Sequence, residues 1–410
     1  MKKKTNPVSR RNFLGTISKA TVLGGIGVTG LPALAHAAEK NKVDATTHCF
    51  LTRPYIHSSD PGTMYIRWIT GKNSYSWVEY GEGAELNLKA HAVTDGLVDA
   101  NNCIHEVTLA SLKPGTVYQY RVASKEIKDF QPYKLTYGET IYSDTYSFTT
   151  FRQAAEEIQW LILNDIHDRP QSFEQLIKVN GNEPYDYVYL NGDMFDYQTD
   201  QQQIIDHLIT PCTNAFATQK PMLFLRGNHE TRGKYARQLK AYFSYPNGQY
   251  FSFHLGPVFA IALDTGEDKE DTHAVYAGIV DFDHYRLQQA AWLEEQMQSK
   301  AYRNARFRVV MMHIPPFYSG DAHGVMHCRA LFSPLFDKHK VDLVIAGHTH
   351  AYGVYPPVPG KHKYPLIIGG GPQDGLRTVI NIKATAQTLN LKMLRDDGVE
   401  VGSYQVTAAR

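Results

Sequence analysis

The sequence predicts two folded domains in series: a β-sandwich over residues 45–150 and a layered α/β domain over residues 156–410. Three observations carry that prediction. Up to Phe151, apolar and polar residues alternate between turn residues, as in antiparallel strands of a sandwich. Beyond it, continuous apolar runs of four to seven residues alternate with helix-like stretches, the pattern of strands buried on both faces in a layered sheet. The length of 410 residues suffices for two cores, with 43% hydrophobic and 20% charged residues, as in ordinary globular chains.

The N-terminus is read as an export signal outside the fold. Met1 to Arg11 is basic, and Ser9-Arg10-Arg11-Asn12-Phe13-Leu14 resembles a twin-arginine signal. A weakly apolar stretch, Thr16 to Leu34, precedes the small-x-small site Ala35-His36-Ala37. Residues 1–37 are thus expected to be a signal peptide, with the twin-arginine translocase as a transient partner. The expected destination is the periplasm, or the exterior where there is no outer membrane. The competing readings are a Sec signal with incidental arginines and a membrane anchor. Ser18, Lys19, Thr21, Pro32 and four glycines make the stretch a poor anchor, since a spanning helix needs about 20 apolar residues. A net charge of +1 argues against a broad polyanion-binding surface, so no stable nucleic-acid or membrane partner is expected. Cys49, Cys103, Cys212 and Cys328 contain no CxxC pair, which gives no sign of a thiolate zinc site. Export makes disulfides possible and leaves their pairing open.

In the first domain, strands are expected over 63–69, 77–80, 105–109, 117–122 and 146–150, with a turn at Leu112-Lys113-Pro114-Gly115-Thr116. In the second, strands are expected at Trp160–Leu163, Tyr187–Leu190, Met222–Leu225, Phe259–Leu263, Phe307–Met312, Leu343–Ala346 and Leu366–Ile368. Helices are expected at Gln171–Val179, Gln201–Ala217, His284–Lys300 and Ala330–Lys340. A last strand pair turns at Asp396-Asp397-Gly398.

The residues just beyond the apolar runs point to chemistry. Five runs lead into Asn164-Asp165-Ile166-His167, Asn191-Gly192-Asp193-Met194-Phe195-Asp196, Arg226-Gly227-Asn228-His229-Glu230, His313, and Gly347-His348-Thr349-His350. In layered α/β sheets the C-terminal strand ends form the ligand crevice. Nitrogen and oxygen donors from several segments, without thiolates, suit two adjacent divalent or trivalent cations. Each motif alone would pass for an ordinary turn or a structural histidine; the five together, in order, do not.

This order resembles the signature of calcineurin-like metallophosphoesterases: D-x-H, G-D-x-x-D, G-N-H-E, a lone His, and G-H-x-H. The resemblance implies a four-layer α/β/β/α domain, with one metal on Asp165, His167 and His350. The second would sit on Asn228, His313 and His348, with Asp193 bridging through its two oxygens. Fe, Mn, Zn and Mg all suit such a set. Attack by a metal-bridging hydroxide is implied, with His229 assisting the leaving group and Asp196 orienting His229. Purple acid phosphatases have a metal-binding Tyr where this chain has Asp196, so a colourless centre is expected, although the Leu-x-Pro-Gly-Thr-x-Tyr-x-Tyr-Arg-Val run resembles their fibronectin-III-like N-terminal domain. Arg226 and Asn228 are candidates for substrate binding, Arg226 equally for a structural ion pair. Asp264-Thr265-Gly266-Glu267 is a candidate pocket wall. Tyr318, His323 and His327 are placed on a loop after His313, as candidates for shaping the substrate site or as a plain surface connection, and Gly369-Gly370-Gly371 is read as close backbone packing. The expected function is hydrolysis of small-molecule phosphate monoesters. The alternatives are phosphodiesterase or nucleotidase activity on the same site, and an exported binding protein with a vestigial one.

Overall fold

The computed structural model describes residues 47–152, 155–243, 245 and 248–408; the expected signal peptide, residues 1–37, lies outside them. The N-terminal strands are β1 (Tyr55–His57), β2 (Met64–Glu82), β3 (Leu88–Ala90), the small hairpin β4 (Val93–Thr94) and β5 (Leu97–Val98), β6 (Ala100–Leu109), β7 (Val117–Gln131), β8 (Lys134–Tyr142) and β9 (Tyr146–Thr149). The two strands expected over 63–69 and 77–80 are one strand, β2. A register shift between Ile69 and Ser74 divides it, so its first half pairs with β6 and its second with β7. Such an irregularity lets a single strand bend and serve both sides of a sandwich. Inward positions of the alternating pattern, among them Ile66, Trp68, Val78, Val107, Tyr120, Val122 and Phe148, form its core. All four cysteines are free.

The second domain has two six-stranded sheets. The first contains β10 (Ile158–Leu163), β11 (Tyr187–Asn191), β12 (Met222–Leu225), β19 (Thr378–Ala384), β20 (Thr388–Arg395) and β21 (Glu400–Thr407). Its order is β12-β11-β10-β19-β20-β21. The second contains β13 (Phe251–Leu255), β14 (Val258–Leu263), β15 (Phe307–Met312), β16 (Leu343–Ala346), β17 (Gly353–Tyr355) and β18 (Leu366–Ile368), in the order β13-β14-β15-β16-β18-β17. Within these sheets β10, β11 and β12 run parallel, as do β14, β15, β16 and β18.

Alternation sorts the side chains of the second sheet into two cores. Val309, Met311 and Ile345 meet the first sheet. Val310, Met312 and Val344 meet α4 (Phe282–Gln298), α5 (Lys300–Asn304) and α6 (His323–Lys338). The outer face of the first sheet is covered by α1 (Gln171–Val179) and by a helical stretch that contains α2 (Gln201–Ile204), a π turn at Ile205–Ile209 and α3 (Thr210–Ala215). The result is the expected α/β/β/α layering. Helix α6 begins at His323, ahead of the expected Ala330, so His323 and His327 lie on it and not on a loop.

The two domains share hydrogen bonds along one seam. Ile56 N–H donates to the Ala217 carbonyl at 2.9 Å, and Tyr120 Oη to the Thr218 carbonyl at 2.8 Å. His57 Nδ1 lies 3.0 Å from the carbonyl of Met222, the first residue of β12. Tyr55 Oη and Arg67 reach the carbonyls of Tyr242 and Ala241.

Candidate metal centre

The C-terminal ends of β10, β11 and β12 carry Asp165, Asp193 and Asn228; those of β15 and β16 carry His313 and His348. Each sheet therefore contributes one part of a single cluster. The turns are tight: a Cβ on Gly227 would strike the Asp193 carboxylate, and one on Gly347 the Asp165 carboxylate. Asp165, His167, Asp193, His348 and His350 have φ between 50° and 74°, a left-handed conformation that costs a non-glycine residue about 1 kcal/mol or more. Five of the seven expected ligands thus sit in strained backbone, as at sites where function fixes geometry.

Two groups of ligand atoms share Asp193: Asp165, His167, Asp193 and His350 in one, Asp193, His313 and His348 in the other. His350 Nε2 lies 3.0 Å from His167 Nε2 and 3.4 Å from Asp165 Oδ1. Asp193 Oδ2 is 3.6 Å from His167 Nε2 and 3.0 Å from His313 Nε2. Asn228 Oδ1 is 3.0 Å from His348 Nδ1, beside the second group. Asp193 does not use one oxygen per group. Oδ2 alone faces both, because Oδ1 accepts the His229 backbone N–H at 2.9 Å.

Outer contacts set which ring nitrogens point inward. His167 Nδ1 bonds the Asp196 carboxylate at 2.8 Å and His313 Nδ1 the Asn191 carbonyl at 2.9 Å, so each turns Nε2 to the cluster. The expected pairing of the Asp196 carboxylate with His229 is not formed. The carboxylate has turned to His167, and the Asp196 backbone carbonyl holds His229 Nδ1 at 2.8 Å. His229 Nε2 lies 2.9 Å from an Arg232 nitrogen and 4.0 Å from Asp193 Oδ2.

The cluster fits cations. His313 Nε2 is buried with only the Asp193 Oδ2 oxygen beside it, at 3.0 Å and poorly placed for a hydrogen bond, and the imidazole nitrogens of His167 and His350 face one another across 3.0 Å. Burial opposes charge on His313, but the Asp193 carboxylate outweighs it and pushes the imidazole up to about 10. Burial, then the positive charge of His313, lowers His348 to about 4. Burial would raise Asp165, yet hydrogen bonds from His167 and His350 hold it well below the usual carboxylate range. The all-nitrogen and oxygen set of donors suits hard or borderline metals.

Other candidates fall elsewhere. Arg226 Nε bonds the buried Asp264 carboxylate at 2.6 Å, the ion-pair arrangement. Tyr318 stacks on Tyr355 and bonds His362. His323 and His327 gather around Asp283. Gly369 packs on Asn164 and Gly371 on His350, with no room for a Cβ.

Two residues, Glu230 and Arg232, escaped the reading of the sequence, while Glu267 of the expected pocket wall does line the cavity beside His229. The Glu230 carboxylate is fully buried and accepts four backbone N–H groups, those of Asp193, Met194, Phe195 and Gly227. It thereby fastens the Asp193 loop to the Asn228-His229 loop. Arg232 and Glu267 form a two-pronged pair at 2.9 and 2.8 Å beside His229. Glu230 was visible as the last residue of Gly-Asn-His-Glu, whereas nothing in the sequence paired Arg232 with Glu267.

Comparison with known proteins agrees with this geometry. The family described as Calcineurin-like phosphoesterase matches residues 159–352, and that described as Purple acid Phosphatase, N-terminal domain matches residues 52–150. Acid phosphatase type 7 of Mus musculus is 28% identical over 339 residues, 74% of this chain and 70% of that protein. Probable purple acid phosphatase 20 of Arabidopsis thaliana is 24% identical over 74% of this chain and 68% of its own length. Among solved structures, the purple acid phosphatase PPD1 of yellow lupin (Lupinus luteus) superposes with a TM-score of 0.66 at 16% identity, covering 86% of this chain and 74% of that one. Layering, strand-end donors and both family matches converge: residues 159–352 match the calcineurin-like phosphoesterases, residues 52–150 match the purple acid phosphatase N-terminal domain, and the chain is a phosphoric ester hydrolase.

Proposed function

We propose that this chain is an exported phosphomonoesterase with a dinuclear metal centre. The observation that carries this reading is Asp193 Oδ2, which faces imidazoles of both ligand groups at 3.6 and 3.0 Å. In the proposed assignment Asp165, His167 and His350 hold one cation, Asn228, His313 and His348 the other, and Asp193 lies between them. Cations there supply Lewis acidity for water and the phosphoryl oxygens. The chain's own groups do the rest. Asp196 and Asn191 fix the imidazole tautomers. The Asp196 carbonyl accepts from His229 Nδ1 and turns Nε2 toward the cleft, where it accepts an Arg232 N–H; once that bond opens and the ring takes up a proton, it would deliver it to the departing ester oxygen. Arg232, held by Glu267, stands ready to meet negative charge beside it. Export rests on the Ser9-Arg10-Arg11-Asn12-Phe13-Leu14 run and the Ala35-His36-Ala37 site.

The test is turnover of p-nitrophenyl phosphate against bis-p-nitrophenyl phosphate by the mature chain, with metal analysis. About two metals per chain and preference for the monoester are expected. Preference for the diester would move the assignment to phosphodiesterase, and bound metal without turnover of either would favour a binding role.

A further inference from the structure

Next to His229 the surface opens into a cavity of ≈ 590 Å³. Arg232 forms the wall nearest the candidate centre, 2.9 Å from His229 Nε2. Three more cations line the cavity, Lys234, Arg237 and Lys269, above apolar surface from Val275, Tyr276 and Ile279. The charges are unevenly matched. Arg232 is neutralised by Glu267 and Lys269 by Asp268, both at 2.8 Å. Arg237 meets only the Ile279 carbonyl, at 2.9 Å. The Lys234 ammonium makes no hydrogen bond or ion pair among the described residues. Val275 and Ile279 are 65% and 63% exposed, bare apolar surface beside two positive charges that make no close ion pair among the described residues, Lys234 acting only at a distance on Asp200.

A cavity that adjoins the Nε2 face of His229 is where the alcohol part of a phosphate ester would lie. We infer that this cavity selects esters whose alcohol part is an aromatic or apolar body bearing a second anionic group, a carboxylate or another phosphate. Val275, Tyr276 and Ile279 would cover the body, while Lys234 and Arg237 would meet the distal anion. The inference rests on the phosphoesterase reading and adds the substrate class to it.

The experiment compares phenyl phosphate, 4-carboxyphenyl phosphate and 1,4-phenylene bisphosphate on the metal-loaded enzyme and on the double variant Lys234→Ala/Arg237→Ala. Both side chains are exposed, so the fold should survive their truncation. The readout is kcat/KM for each charged ester relative to phenyl phosphate, a ratio in which differences of loading cancel. The variant should lower that ratio by about fivefold or more, mainly through KM, and added salt should shrink the wild-type preference. Lys234→Glu/Arg237→Glu should push it below the alanine value. A fall for only one charged ester identifies the distal group as carboxylate or phosphate. If all three esters turn over and the ratio is the same in every variant, the cavity does not select substrate and the inference is overturned. If no ester turns over, the phosphoesterase reading fails and the inference falls with it.

Discussion

Replacing Glu230 with glutamine is the sharpest probe of how the cleft is held together. One carboxylate oxygen takes the N–H groups of Met194 and Phe195 at 2.6 and 3.2 Å; the other takes those of Asp193 and Gly227 at 2.8 and 2.6 Å. Four N–H donors leave no lone pair for a proton, which points to the ionised form, although burial and the Asp193 charge push the group up to about 7. An amide has one oxygen, so Glu230→Gln keeps two of these bonds and sets its NH2 against the other two donors. Hydrogen bonds to charged groups contribute about 1.5–3 kcal/mol each. Losing two costs at least about 3 kcal/mol, and relief from burying a charge returns part of it, for a net loss of about 2–3 kcal/mol. At about 2–4 °C per kcal/mol for a domain of this size, Tm should fall by roughly 5–10 °C. The variant should also bind metal more weakly, because the loosened loops carry Asp193 and Asn228. Calorimetry with and without chelator, beside metal analysis, measures both effects. A Tm within about 1 °C of wild type, with metal content unchanged, would refute the idea that this carboxylate ties the two loops together.

Asp193→Asn should leave the fold intact yet reduce turnover by more than about a hundredfold and lower bound metal, as read by phosphate release and metal analysis. Asp196→Ala removes the group that fixes the His167 tautomer, and metal affinity should drop by about 10–100-fold, measured by competition with a chelator. The iron-loaded wild type should show no tyrosinate absorption, because Asp196 stands where purple acid phosphatases have tyrosine and Tyr197 is exposed; Asp196→Tyr should introduce such a band. Stability should decline in acid through His57, which burial holds down at about 4 from 6.5. The unfolded chain takes up the proton first, so this stability is complete above pH 6.5 and disappears toward pH 4, up to about 3 kcal/mol. Urea midpoints at pH 7 and 4.5 should show a smaller difference in His57→Asn.

The α/β domain was legible because its strands are continuously apolar, and the ends of those strands are where the candidate ligands stand. Met222–Leu225, Phe307–Met312, Leu343–Ala346 and Leu366–Ile368 match their expected bounds. The start of α6 was not legible. Its N-cap is Ala322, with no side-chain cap, and Gly324 lowers helix propensity in the first turn. Strand β8 is mostly exposed or half-exposed, so it lacks the alternation that marked its neighbours. At the candidate centre, residue types and order revealed the donors but not their outer partners. Asp196 lies three residues from Asp193 and 29 from His167, and chain distance carries no trace of which histidine it meets. The Arg232–Glu267 pair spans 35 residues between ordinary-looking charges, invisible until the two sheets bring their loops together.

The seam between the sandwich and the α/β domain bears on how such a gene can be cut. The carbonyls of Ala217, Thr218 and Met222 stand at the entry to the strand that delivers Asn228 and His229, and side chains or backbone of the sandwich satisfy each of them. Recombination near residue 150 would sever those bonds together with the aromatic contact of His57 on Tyr245. A foreign sandwich would therefore need donors in the same register to be accepted. The two modules fit as a matched pair, and library design that shuffles them should move the junction N-terminal to Tyr55.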